Sequence, residues 1–146
     1  MEQIRLRGSI SIDYEWTAGI AGSRFFQELR DHRRIMGTQC PECRRVMVPP
    51  RIFCEECFVD AREWVEVSPK GELVTFGESY LGTDGSLLEK PWILGIVKLD
   101  GAHGGLVHFI GEADPKDLKL GMRMEAVFNE DRKGSILDIK YFRPMK

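Results

Sequence analysis

The chain holds four cysteines, Cys40, Cys43, Cys54 and Cys57, spaced as C-x2-C-x10-C-x2-C. Each C-x-x-C turn offers two thiolates from nearly adjacent backbone positions, and a tetrahedral soft metal takes four of them at about 2.3 Å. A single S4 site therefore uses every thiol in the protein. One C-x-x-C alone would equally suit a redox turn, whereas two at this spacing read as a metal ribbon. Disulfides are the competing reading, but they belong to secreted and usually cysteine-rich chains. The opening residues Met1-Glu2-Gln3-Ile4-Arg5 lack an apolar h-region, and no apolar run approaches the ~20 residues of a membrane span. The expectation is a cytoplasmic protein with reduced thiols, no membrane partner and one structural Zn2+ per chain. Iron takes the same S4 geometry, so spacing alone leaves zinc and iron both open.

A length of 146 residues suits one domain, or a small domain with a metal-held satellite. The formal net charge is −2, and four thiolates around one Zn2+ bring the loaded protein to about −4. An acidic whole argues against general nucleic-acid binding, which depends on neutralising phosphates. The charge is uneven, however. Arg24, Arg30, Arg33, Arg34, Arg44, Arg45 and Arg51 stand against only Glu28, Asp31 and Glu42 in one stretch. Arginine forks suit carboxylates and phosphates, so this stretch is either a basic docking patch or a solvated face beside an anionic metal site.

Along the chain, Ile4-Arg5-Leu6-Arg7 alternates briefly, and residues up to Gly22 read as an extended arm rather than a packed strand. Ser23 is a plausible N-cap for a helix running to about Met36, with Phe25, Phe26, Leu29 and Met36 at helical spacing and Gly37 as the stop. So short a helix must bury its aromatic face, either in this protein's own core or against another chain. Residues 38–60 form the ribbon, with Val46-Met47-Val48 as a short strand and Pro49-Pro50 barring helix. Past Asp60 the pattern turns to β: 64–67, 72–77, 92–99, 106–110, 122–128 and 136–142 carry strand signals, and 81–90 reads as a polar loop. The expected architecture is mainly β: an arm and helix (1–37), a rubredoxin-like zinc ribbon (38–60), then a five-stranded OB-type Greek-key barrel (61–146). The Met122, Met124, Ala126, Phe128 stripe is expected as barrel core.

In this order the parts resemble a family long catalogued as a domain of unknown function, DUF35, in which a helix and a rubredoxin-like ribbon precede an OB-fold. The resemblance rests on Trp16-Thr17-Ala18-Gly19, Phe25, Leu29, Cys40-Pro41-Glu42-Cys43, Val48-Pro49-Pro50-Arg51 and Phe53-Cys54. Trp64, Leu99-Asp100-Gly101, Leu120-Gly121 and Phe142-Arg143-Pro144 extend it. It implies an accessory subunit docked on a catalytic chain that acts on acyl-CoA. The Trp-Thr-Ala-Gly arm resembles the thiolase-associated branch, which implies a thiolase-like partner, a heterotetramer and a CoA ester bound by the complex. Hydratases and aldolases are the family's other partners. Arg44 and Phe58 stand where such knuckles usually carry Gly. A left-handed turn costs a side chain on the order of 1 kcal/mol, so a different knuckle geometry is expected there.

The residues offer no catalytic machinery of their own. An S4 metal is coordinatively closed, and no cysteine is left to act as an acyl carrier. His32 lies on the helix, His103 in a Gly-rich turn and His108 in an apolar strand. Triad, H-E-x-x-H, P-loop and dinucleotide patterns are absent. Three classes remain: a non-catalytic subunit, a nucleic-acid-binding ribbon and OB module, and an iron electron carrier. The first is favoured. Its expected docking surface is Tyr14, Trp16, Arg24, Phe25, Phe26, Arg30 and Arg33, since interfaces concentrate aromatics and arginine.

Overall fold

The computed structural model describes residues 3–6, 8 and 12–145. Arg7, the last member of the Ile4–Arg7 alternation, lies outside the described residues, as do Met1 and Glu2. The helix α1 spans Gly19–His32, earlier at both ends than its sequence pattern suggests. Its start is set by Thr17, whose hydroxyl accepts the Gly19 N–H at 3.1 Å, so Ser23 falls inside the helix. Its end is set by Arg33, held left-handed at φ 56°, while the Arg34 N–H reaches the Glu28 carbonyl at 3.2 Å. The reversal puts Ile35 and Met36 into a strand, β1 (Ile35–Gln39), and removes Met36 from the helical stripe.

Gly37 is therefore no helix stop. It sits within β1, where a Cβ would meet the Met47 carbonyl oxygen and the Val46 and Val48 side chains at 2.9 Å. Its smallness lets β2 (Val46–Met47) lie against β1. Two further short strands, β3 (Phe53–Cys54) and β4 (Val59–Asp60), pair with each other. The strand β5 (Glu63–Val67) pairs antiparallel with β1 along its whole length, giving a sheet in the order β2-β1-β5. This Trp64 segment, which leads into the later β region, thus also pairs with the strand that leads into the ribbon.

The barrel strands are β6 (Lys70–Leu81), β7 (Leu87–Leu99), β8 (Leu106–Ile110), β9 (Arg123–Phe128) and β10 (Ile139–Pro144). They close in the order β10-β8-β7-β6-β9, with β9 returning to β10 and only β8 and β10 parallel. That connectivity is the five-stranded OB-fold. Gly71 lies where β6 crosses closely over β7: a Cβ there would come within 2.1 Å of the Lys98 carbonyl oxygen. Met124 is fully buried, and Met122, Ala126 and Phe128 pack against the same core, as their alternation predicts.

The polar segment 81–90 is not a loop. Residues 81 and 87–90 continue the β6–β7 hairpin, leaving 82–86 as the turn. The far half of this hairpin projects past the barrel, and Tyr80, Leu81 and Leu87 are exposed there. With no buried face beneath it, nothing imposes the alternation by which strands are recognised.

One apolar cluster joins the three parts. Phe25 and Leu29 of the helix, Ile35, Val48 and Val67 of the ribbon, and Leu73, Val97, Met124 and Phe142 of the barrel belong to it. Polar ties reinforce the junctions. Arg132 Nε donates to the Arg30 carbonyl at 2.8 Å, and the buried Asp138 carboxylate accepts the N–H groups of Lys133 and Gly134, each at 2.8 Å. The Gly-rich turn after β7 fastens barrel to ribbon: the His103 N–H donates to the Val46 carbonyl at 2.7 Å, and His103 Nδ1 accepts the Val46 N–H at 3.2 Å.

Candidate metal centre

Each C-x-x-C pair lies on a tight turn closed by the backbone. The Arg44 N–H donates to the Cys40 carbonyl at 3.1 Å, and the Phe58 N–H to the Cys54 carbonyl at 2.9 Å. Arg44 (φ 60°) and Phe58 (φ 56°) both adopt the left-handed conformation. The knuckle geometry expected to change is therefore kept, and each side chain bears the steric cost. The Thr38 hydroxyl pins the Pro-Pro-Arg segment between the knuckles, donating to the Arg51 carbonyl at 2.6 Å and accepting the Arg51 N–H at 3.0 Å.

The ligand atoms of Cys40, Cys43, Cys54 and Cys57 all lie within 4.8 Å of one another. Sulfurs about 2.3 Å from a central ion stand about 3.8 Å apart along a tetrahedron's edge. Cys43 and Cys54 Sγ, from opposite knuckles, are 3.8 Å apart. Cys40 and Cys54 are buried beside Met47 and Ala61 in a small apolar cluster, so the site is half closed to water. Without a cation, Cys40 and Cys57 are shifted in opposite directions. Burial opposes ionisation of Cys40, yet the N–H groups of Cys43 and Glu42 and the neighbouring thiols bring it down to about 7. Cys57 is pushed up to about 12, first by its hydrogen bond to Cys43 and then by burial. A bound dication would favour the thiolate form of the ligands. The donor set fits a structural zinc, which when bound fixes the two knuckles and leaves no coordination position for substrate.

The Arg45 and Arg51 guanidiniums beside the cluster pair with Glu56 (2.8 Å) and Glu55. His32 Nδ1 faces Glu28 at 3.1 Å on the helix. His108 is buried in β8, and its Nδ1 accepts the Phe109 N–H at 2.8 Å, which leaves Nε2 to donate to the Ile136 carbonyl at 3.1 Å. Both nitrogens are satisfied only in the neutral ring, and burial lowers the pKa below its usual value, outweighing those two backbone contacts. The unfolded chain then binds a proton that the native ring refuses. This contribution is complete above the unfolded pKa of about 6.5 and is lost as the pH falls below it. The urea midpoint is expected to drop between pH 7 and 5.5, and to drop less in His108→Gln. Zinc content measured at each pH separates this from acid release of the metal. An equal drop in both proteins would exclude the histidine as its source.

One of the sequence-derived docking residues lies off the surface. Phe25 is 2% exposed and belongs to the core, a correction that follows from its facing β1 and the barrel rather than solvent. Phe26 is half-buried and meets the Phe25 ring edge-on. The Arg24 guanidinium lies 4.5 Å from the Trp64 ring centroid and holds the helix to β5. Arg30 is engaged by Asp31 at 2.8 Å, and Arg34 by Glu28 at 2.7 Å. Much of the basic patch is thus paired. Arg24 and Arg33 are its members without a carboxylate partner among the described residues. Tyr14 and Trp16 remain 70% and 74% exposed.

Two family domains match the chain: the rubredoxin-like zinc ribbon domain of ChsH2 over residues 27–63 and the C-terminal OB-fold domain of ChsH2 over residues 64–129. A DUF35 domain-containing scaffold protein of Pyrococcus furiosus is 30% identical over 129 residues, which span 84% of this chain and 92% of the relative. The chain belongs to the DUF35 family. A DUF35 scaffold protein of Methanocaldococcus jannaschii is 26% identical over 129 residues, 84% of this chain and 90% of the relative. Among solved DUF35 structures, one of unknown function from Sulfolobus solfataricus covers 75% of this chain and 78% of its own, with TM-score 0.62 and 27% identity. The Ltp2-ChsH2(DUF35) aldolase covers 94% of this chain and 98% of its own, with TM-score 0.62; at 21% identity that likeness shows the DUF35 fold alone. Among the described residues, no helix is long and apolar enough to cross a membrane.

Proposed function

We propose that this chain is a non-catalytic accessory subunit that docks on an enzyme acting on acyl-CoA and shapes its active site, with a thiolase-type chain as the catalytic partner. The observation that carries the reading is chemical: the one cluster of four metal-binding side chains among the described residues is an S4 site with no free position. The scaffold naming of the family relatives agrees with this role. The Trp16-Thr17-Ala18-Gly19 arm supports the thiolase branch, and the small subunit of benzoylsuccinyl-CoA thiolase, from anaerobic aromatic degradation, is the specific candidate. On this reading the complex, a heterotetramer, holds the CoA ester. A second reading, an aldolase-type partner, is favoured by the likeness to the Ltp2-ChsH2(DUF35) aldolase. Nucleic-acid binding is disfavoured by the acidic balance of the chain and the pairing of its arginines.

The test is co-expression with a thiolase-type chain. The expected outcome is a stable complex that turns over acyl-CoA, a catalytic chain that loses most activity without this subunit, and no turnover by this subunit alone. Turnover by the isolated chain would overturn the assignment, and a complex formed only with an aldolase-type chain would replace the thiolase branch.

A further inference from the structure

The segment Ile10-Ser11-Ile12-Asp13-Tyr14-Glu15-Trp16 alternates apolar and polar residues at every step. That is the period of a strand with one buried face, and Ile, Tyr and Trp are strand formers. Of this segment the structure describes Ile12–Trp16, and it forms no strand. Ile12, Tyr14 and Trp16 are all exposed. The Tyr14 and Trp16 rings are stacked with centroids 5.0 Å apart, which puts these alternate side chains on one side of the segment, as a strand requires. Among the described residues no strand of this chain pairs with it. It has the pattern of a sheet strand and lacks the sheet.

We propose that residues 12–16 join an open sheet edge of the catalytic partner as an added β-strand, on an edge that carries lysine or arginine on its solvent face. This rests on the accessory-subunit reading above. In such addition the backbone supplies hydrogen bonds and alternate side chains fill an apolar floor, here Ile12, Tyr14 and Trp16. The other face presents Asp13 and Glu15. Natural edge strands are protected from aggregation by lysine, so a matching acidic strand finds opposite charges across the pair. A second copy of this chain is a poor host. Its open edges, on β5 and on the projecting halves of β6 and β7, carry Glu63, Glu66, Glu78 and Glu89 against one lysine, Lys90. Like charges would oppose Asp13 and Glu15 there.

The test is residue-resolved amide hydrogen exchange on the whole chain, free and in complex with the co-expressed thiolase-type chain. Strand addition pairs only every second N–H with the edge. Alternate amides across 12–16 are therefore expected to slow by about a hundredfold in the complex, with their neighbours still fast. Asp13→Lys combined with Glu15→Lys is expected to weaken binding by about tenfold and to blunt its salt dependence. A complex whose arm amides all stay fast overturns the strand proposal and leaves the accessory role standing. Failure to form any complex with a catalytic chain overturns both. Protection in the chain alone, growing with its concentration, assigns the arm to a second copy and overturns the proposal.

Discussion

Cys43→Ser is expected to abolish stoichiometric metal binding and to unravel the outer ribbon while leaving the barrel folded. Structural zinc contributes on the order of 10 kcal/mol in small ribbons, far more than any other single group here. The loss should not be uniform. The knuckles and their cluster of Cys40, Met47, Cys54 and Ala61 have little apolar surface of their own. The helix, β1, β5 and barrel share the larger core that runs from Phe25 to Phe142. Metal analysis of the wild type should give one zinc per chain in a colourless protein, and chelation should reproduce the variant. The measurement is hydrogen exchange with metal analysis: exchange rising in 38–60 and protection kept in 92–99 is the expected result. Iron in the wild type would reassign the centre, and global unfolding of the variant would show that the barrel depends on the ribbon.

How much of this was legible in the sequence follows from where physical constraints are local. The four ligands were readable because thiolate geometry demands two tight pairs, and the helix, ribbon and barrel order because each part carries its own pattern. The left-handed conformation of Arg44 and Phe58 was not readable, because closure of the four sulfurs outweighs a local preference for glycine. The helix end was misplaced because Arg33 adopts a conformation normally left to glycine or asparagine, while Met36 by chance continued the helical spacing. The β6–β7 hairpin was missed for the opposite reason: its projecting half has no buried face and so writes no alternation. The role of the Gly101–Gly105 turn was invisible too, since only the fold brings His103 against Val46. The basic patch looked stronger in sequence than in space, because Glu55, Glu56 and Glu63 lie outside the stretch that was counted yet pair with its arginines.

Phe25 and Trp16, grouped by sequence as one docking surface, are expected to separate cleanly by mutation. Phe25 is buried between helix, ribbon and barrel beside Leu29 and Ile35. Its replacement by alanine opens a cavity there, and the cost for a buried phenylalanine is about 3–5 kcal/mol. That is a large part of a small domain's total stability. The folded fraction should still bind its partner with unchanged affinity, because the side chain never reaches the surface. Tyr14 and Trp16 are 70% and 74% exposed, so their joint replacement by alanine should leave zinc content and melting temperature as they are. If they anchor the partner, each is worth at least about 2 kcal/mol as an interface aromatic, and the pair weakens association by several hundredfold or more. Thermal denaturation and titration of the two variants against the catalytic chain give both readouts. A Tyr14/Trp16 variant that binds normally would move the docking surface off the arm, and one that melts early would show that the arm folds back on its own protein. Arg33 supplies the control nearby: it is exposed and unpaired among the described residues. Arg33→Glu should slow association in low salt without changing melting only if the partner's acidic surface extends to the end of the helix.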